Sequence, residues 1–301
     1  MLRITKANEA IEVKTIPLCF FGAPGIGKTS LACTASKPLL LDADMGAHRS
    51  RNRGDTVRIS TWADVSSLSA NDLAPYDTVI TDTAGRVLDL MTADIIATGG
   101  DPKARGGSLT IQGYGVLKGR FLAWVKLLRS FGKDVIFVCH STEEHKGDDL
   151  IERLDATGSS KGEIYKSADL MGKLYLGDGR RMLDFSPTGS SFGKNPTQLP
   201  ILTVPDFGVE PQWLAGIIAQ AKVDLSKVSA ESIQVAEKLT SIGDLISNAV
   251  TLTDFDGMLT LCKDAPESVR TNAKRLLLKA AKVKGYEFNK TTGAFDLAAT
   301  P

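Results

Sequence analysis

Residues Gly22 to Thr29 spell Gly-Ala-Pro-Gly-Ile-Gly-Lys-Thr, and this octet constrains the fold more tightly than any other stretch. It fits the phosphate-loop pattern G-x-x-x-x-G-K-[ST] at every position. The apolar run Ile16-Pro17-Leu18-Cys19-Phe20-Phe21 before it reads as a buried strand, and Ser30 to Ala35 after it reads as a first helix. Gly22, Gly25 and Gly27 allow a tight turn that brings backbone N–H groups onto phosphate oxygens. The phosphate-binding candidates are therefore Gly22, Ala23, Pro24, Gly25, Ile26, Gly27, Lys28, Thr29 and Ser30. Lys28 is expected to reach the β- and γ-phosphates, and the Thr29 hydroxyl to hold Mg²⁺.

A chain of 301 residues has room for one large domain and a small one. The net charge is +1, so any nucleic-acid binding must come from local patches and not from a broad field. There is no secretory leader pattern and no apolar run near the ~18 residues that a membrane helix needs. The expectation is a cytoplasmic protein without a membrane partner. Cys19, Cys33, Cys139 and Cys262 show no metal-ligand spacing and read as reduced, buried thiols.

Along the chain, Leu2 to Ile4 reads as a short strand and Pro38 to Asp42 as an apolar strand ending in Asp42-Ala43-Asp44. Thr56 to Ile59 and Tyr76 to Asp82 are further strands, with helical patterns at Trp62 to Ala70 and Val87 to Ala97. This alternation implies βαβ units and a parallel sheet. Gly99 to Gly115 reads as a flexible loop. Val116 to Phe131 is an amphipathic helix with Leu117, Phe121, Trp124, Val125 and Leu128 on one face. Val135 to His140 is a strand, and Ser141 to about Lys166 a second polar loop. Gly177-Asp178-Gly179 between two apolar runs predicts a hairpin, so the sheet should end in antiparallel strands. Composition shifts near Val223, and three helical patterns follow.

The chemistry asks for an acid at a neighbouring strand's end to organise the metal, and Asp82 closes such a strand. It also asks for a group that deprotonates water, and Asp42 and Asp44 end the strand after the P-loop helix. His140 ends another strand and can donate a hydrogen bond at the same edge. A zinc pair of His140 and His145 lacks further ligands at suitable spacing.

GAPGIGKTSLA, LLLDAD, YDTVITD and DVIFVCH, in this order, resemble the RecA-like phage nucleotide-binding proteins, a group that includes single-strand annealing recombinases. The likeness spans residues 15 to 205. It implies a RecA-like P-loop NTPase core, 1–222, of α/β class. The sheet would be mostly parallel, flanked by helices and ended by a C-terminal antiparallel hairpin, with a small helical domain at 223–301. It implies ATP and Mg²⁺, and a location in the host cytoplasm if a phage encodes the chain. Asp44 takes the place of the family's catalytic glutamate, one methylene shorter, which implies slow turnover. His140 takes the place of its γ-phosphate sensor. In relatives, a Lys-Asn-Arg run serves the neighbouring subunit's nucleotide. Here Pro196 replaces the arginine, leaving Lys194, Arg180 and Arg181 as candidates acting in trans within a homo-oligomer.

The two loops stand where RecA-type proteins bind single-stranded DNA. The candidates there are Lys103, Arg105, Tyr114, Lys161 and Lys166, with Lys146 and Arg153 as further basic groups. The first reading is thus an ATP-dependent protein of DNA recombination or strand annealing, with a single-strand-binding protein as a further partner. The second is a P-loop switch in protein-complex assembly, the absence of an N-K-x-D-like motif favouring ATP over GTP. The third, a small-molecule kinase, is disfavoured because no arginine-rich lid is evident.

Overall fold

The computed structural model describes residues 4–6, 9–50, 52–99, 103–146, 149–156 and 160–298, with the side chains of 145, 146, 149, 150, 160, 161, 228 and 229 outside that description. The chain divides into two units, Val13–Leu225 and Ser226–Pro301, the latter grouped with Met1–Glu12.

The larger unit is built around β1, Pro17–Gly22, every residue of which is buried. A strand covered on both faces needs a continuous apolar run, and this one has it. Helix α1 (Lys28–Ala32) follows, then β2 (Pro38–Asp42), β3 (Asp55–Arg58), α2 (Trp62–Ser66), β4 (Thr78–Asp82) and α3 (Ala84–Gly99). A two-strand turn, β5 (Ala104–Arg105) with β6 (Ser108–Leu109), leads into α4 (Ile111–Ser130). Next come β7 (Asp134–Lys146), β8 (Asp149–Leu154), α5 (Ser160–Ser167), β9 (Leu170–Gly177), β10 (Arg180–Asp184) and β11 (Leu202–Thr203).

The sheet order is β11-β10-β9-β1-β7-β4-β2-β3, with β8 paired to β7. β9, β1, β7, β4, β2 and β3 run parallel, while β10 and β11 alternate antiparallel at the far edge and β8 lies antiparallel to β7. The two faces sort the side chains with the strand period of two. Cys19, Phe21, Leu41, Val79, Phe137 and Cys139 share one core with the apolar face of α4. Leu18, Phe20, Leu40, Ile80, Ile136 and Val138 share the other with Leu31 of α1. Besides Gly113, the α4 residues buried are Leu117, Phe121, Trp124, Val125 and Leu128, as the helical spacing predicts.

Three expectations change before the C-terminal helices. Gly99 to Gly115 is not one irregular loop. It holds the β5–β6 turn and the first residues of α4, capped at Thr110, whose hydroxyl accepts from the Gly113 N–H. Ser141 to Lys166 is not a loop either. β7 runs on past His140 and turns back as β8, and α5 follows. This hairpin is polar along most of its length, so it carries no apolar signature. Ile4 lies in no strand, and Leu2 and Arg3 fall outside the described residues.

The smaller unit contains the C-terminal part of α6 (Trp213–Asn248), then α7 (Leu252–Asp264) and α8 (Glu267–Val283). An antiparallel hairpin that the helical reading omitted completes it: β12 (Tyr286–Asn289) and β13 (Ala294–Leu297). Phe295 of this hairpin packs on Phe255 of α7 and on Phe288, filling a core that also holds Leu259, Val269 and Leu277. Among the described residues, no helix is long and apolar enough to cross a membrane.

Candidate functional site

Parallel strands deliver their carboxyl ends to one edge of the sheet, and register fixes who meets whom there. Gly22 lies opposite His140, and Asp42 lies opposite Asp82. Four strand ends singled out in the sequence therefore converge.

The loop leaves β1 where nothing larger than glycine fits. A Cβ on Gly22 would lie 2.3 Å from the Leu174 carbonyl oxygen of β9. Gly27 precedes α1 at φ 104, a left-handed conformation natural to glycine. Ala23, Pro24 and Gly25 are exposed, so the crest of the loop is open to a ligand. Lys28 is 4% exposed. Its ammonium donates to the Gly22 and Ala23 carbonyl oxygens at 2.9 and 2.8 Å and stands 3.4 Å from His140 Nδ1. Burial pushes its pKa down, and the nearby Asp82 charge opposes that shift.

Thr29 Oγ1 donates to Asp82 Oδ2 at 2.6 Å. Burial raises the Asp82 pKa, with the Thr29 bond pulling the other way. A hydroxyl and a carboxylate are hard oxygen donors of the kind Mg²⁺ takes, so this pair fits the ion.

Asp44 is held beside Asp82 by the backbone, since Ala43 and Asp44 both donate their N–H to the Asp82 carbonyl oxygen at 2.7 and 3.2 Å. Its Oδ2 lies 3.2 Å from His140 Nε2, and its Oδ1 accepts from Arg86 Nε at 3.3 Å. The His140 bond, helped by the Arg86 guanidinium, holds its pKa below the ordinary carboxylate value against burial. An ammonium can only donate, so the Lys28 contact makes His140 Nδ1 an acceptor and leaves the ring hydrogen on Nε2, facing Asp44. The result is a chain Lys28–His140–Asp44–Arg86.

Asp42, the other acid of this strand end, is 1% exposed. It accepts from the Gly46 and Ala47 N–H groups at 2.9 and 3.0 Å. Both oxygens hold the following turn. Ser30 Oγ lies 3.0 Å from Ser50 Oγ.

The remaining candidates do not gather here, with one exception. Arg181 of β10 donates from Nε to the Ile26 carbonyl oxygen at 2.8 Å, within its own chain. Its guanidinium also lies 6.0 Å from the Phe207 ring centre. Arg180 is exposed on the same hairpin, opposite Gly177. Lys194 donates to the Tyr165 and Ala168 carbonyl oxygens at 3.0 and 2.7 Å, where α5 ends. Lys103 and Arg105 are exposed on the β5–β6 turn, and Tyr114 is 38% exposed on α4. Lys166 lies 3.2 Å from Glu163, which Lys118 of α4 also approaches. The side chain of Lys161, like that of Lys146, lies outside the described residues. Arg86 went unnamed in the sequence reading, and Arg181 was named there only as a group acting in trans. Arg86 had one signal, its place one turn into the helix that follows Asp82. Arg181 had none as a contact of its own chain's loop, because only the fold of the hairpin brings it there.

A phosphate loop at the carboxyl edge of a parallel sheet, with a polar side chain on the adjacent strand β7 and an acid at the end of the next strand, β4, defines a P-loop nucleotide-binding domain. A family model described as the AAA domain matches residues 14–197, and the chain belongs to that family. It is accordingly a nucleotide-binding domain of the NTPase type. A search of curated proteins gave no match.

Proposed function

We propose that the chain is a Mg²⁺-dependent ATPase of RecA-like kind. In this reading it acts as a homo-oligomer on single-stranded DNA, in recombination or strand annealing. Residues 1–222 would form the working core and 223–301 an accessory domain. The observation that carries the catalytic half is the Lys28–His140–Asp44–Arg86 chain beside the Thr29–Asp82 pair.

Lys28 would exchange its two loop carbonyls for β- and γ-phosphate oxygens. Thr29 and Asp82 would hold Mg²⁺, which supplies neutralisation of phosphate charge. Asp44 and His140 would share the work on water. Both Asp44 oxygens are engaged and its pKa is low, so it orients the ring and keeps a carboxylate next to it. Once Lys28 turns to phosphate, His140 Nδ1 is free to take a proton from water or to sense the γ-phosphate. Arg181 would steady the loop from its own subunit. With Arg181 and Lys194 bonded within their own chain, Arg180 is the candidate left for a neighbour's nucleotide.

The DNA half is supported by continuity. His140 lies within β7, which runs on into the β7–β8 hairpin, so a change at the nucleotide is carried along one strand. Lys103, Arg105 and Tyr114 would add phosphate and stacking contacts. A second reading, a P-loop switch in protein-complex assembly, draws on the acids of that hairpin. Glu143 stands opposite Glu152, with Lys173 paired to Glu152. Fluorescence anisotropy of a labelled single-stranded oligonucleotide, with Mg²⁺ and with or without ATP, separates the two. ATP-tightened binding supports the first; no binding at low salt promotes the second.

A further inference from the structure

Helix α8 carries five basic residues against one acid, Glu267 in its first turn. Arg275, Lys279 and Lys282 follow one another at i, i+4 and i+7, which sets them on one ridge of the helix, and Lys284 comes just after its end. Among the described residues, none of these four side chains has an acid within ion-pair distance. In a chain of net charge +1, such a row is a local choice and not an overall bias.

Beside this ridge lies a trough of about 620 Å³ between the C-terminal part of α6 and α8. Its lining is mostly apolar, with Leu239 and Ile246 from α6 and Leu276 and Val283 from α8. Leu276 is 40% and Val283 78% exposed. Gly243 opens a notch in the α6 side, since a Cβ built there meets no atom within 4 Å. Lys279 and Lys284 stand in the lining itself, and Asp244 is the one acid there, free to accept a peptide N–H. The trough lies wholly within the smaller unit.

We propose that this trough docks an acidic peptide segment of a partner protein, anchored by leucine- or phenylalanine-sized side chains. The charge pattern chooses the occupant. A phosphate backbone would use the lysines but leave the apolar floor uncovered. A neutral apolar segment would cover the floor but leave the ridge unmatched. Only a segment that alternates acids with large apolar residues satisfies both. The apolar side chains enter beside Gly243, and the carboxylates meet Arg275, Lys279 and Lys284.

The test uses the full chain and short fluorescein-labelled peptides read by anisotropy. One peptide alternates aspartate with leucine, one replaces aspartate by lysine, and one replaces leucine by serine; a labelled oligothymidine is the fourth probe. The aspartate–leucine peptide alone is expected to bind, more weakly as salt rises. The double change Lys279→Glu with Lys284→Glu, at exposed positions, should weaken it about tenfold or more. Gly243→Leu, which fills the notch without a clash, should do the same, with ATP turnover unchanged in both variants. Three results would overturn the proposal. One is equal binding of the serine peptide. Another is no binding of the aspartate–leucine peptide at low salt. The third is oligothymidine as the only probe whose binding the double change abolishes.

Discussion

Lys28→Met should separate the lysine's catalytic value from its structural one. Lys28 is 4% exposed, and its ammonium donates to two carbonyl oxygens. Such charged hydrogen bonds contribute about 1.5–3 kcal/mol each. Against them stands the effective cost of burying an ammonium, several kcal/mol. The lowered pKa says that burial outweighs the neighbouring charges. Methionine keeps the stem and removes both the bonds and the burial cost, so stability should change by no more than about 1 kcal/mol. Turnover should fall at least about 10²–10³-fold, as when a preorganised donor is deleted from other active sites. The pH dependence adds a sign. Between the lowered pKa and the ordinary lysine value, the unfolded chain binds more protons than the folded one. Parent stability therefore rises with pH across that window, while the methionine variant lacks this contribution. Urea unfolding across a pH series and phosphate release are the two assays. A loss above about 3 kcal/mol would make Lys28 a structural residue, and parental turnover would refute the phosphate assignment.

Asp42 and Asp44 should part company. Asp42→Ala orphans two N–H groups in a half-buried turn and should cost about 1–3 kcal/mol by urea unfolding, whereas Asp44→Asn should bind ATP with its fold intact and turn it over poorly. Because its folded pKa is depressed, Asp44 stabilises the protein above the ordinary carboxylate value and loses that contribution as pH falls through the lowered one. The acid limb of stability should be shallower in Asp44→Asn. Arg181→Ala mixed with Lys28→Ala should restore no activity, since both defects lie in the same subunit's loop; restored phosphate release would return Arg181 to a role in trans. Replacing Lys103 and Arg105 together by alanine should flatten the slope of log DNA affinity against log salt by about 1.4 while ATP binding persists.

The site was legible where apolar runs end in a chemical group. β2, β4 and β7 each present a run that pays for its burial, then an aspartate or a histidine, and parallel register does the rest. What the strand pattern could not separate was Asp42 from Asp44. That distinction rests on the Gly46 and Ala47 N–H groups, which Asp42 accepts while Asp44 bonds His140 and Arg86 instead. The β7–β8 hairpin escaped because most of its length is polar; among the described side chains of β8, only Ile151 and Leu154 are buried. β12 and β13 escaped because their aromatic residues, Phe288 and Phe295, are split by a turn and meet only on folding. Arg86 is 64% exposed and offered no burial pattern to read.

The most direct measurement is steady-state phosphate release from Mg²⁺-ATP by the intact chain, with and without single-stranded oligonucleotide, beside Lys28→Ala. The account predicts slow turnover that the oligonucleotide raises and that Lys28→Ala abolishes under both conditions. Turnover indifferent to DNA, or surviving in Lys28→Ala, would contradict it.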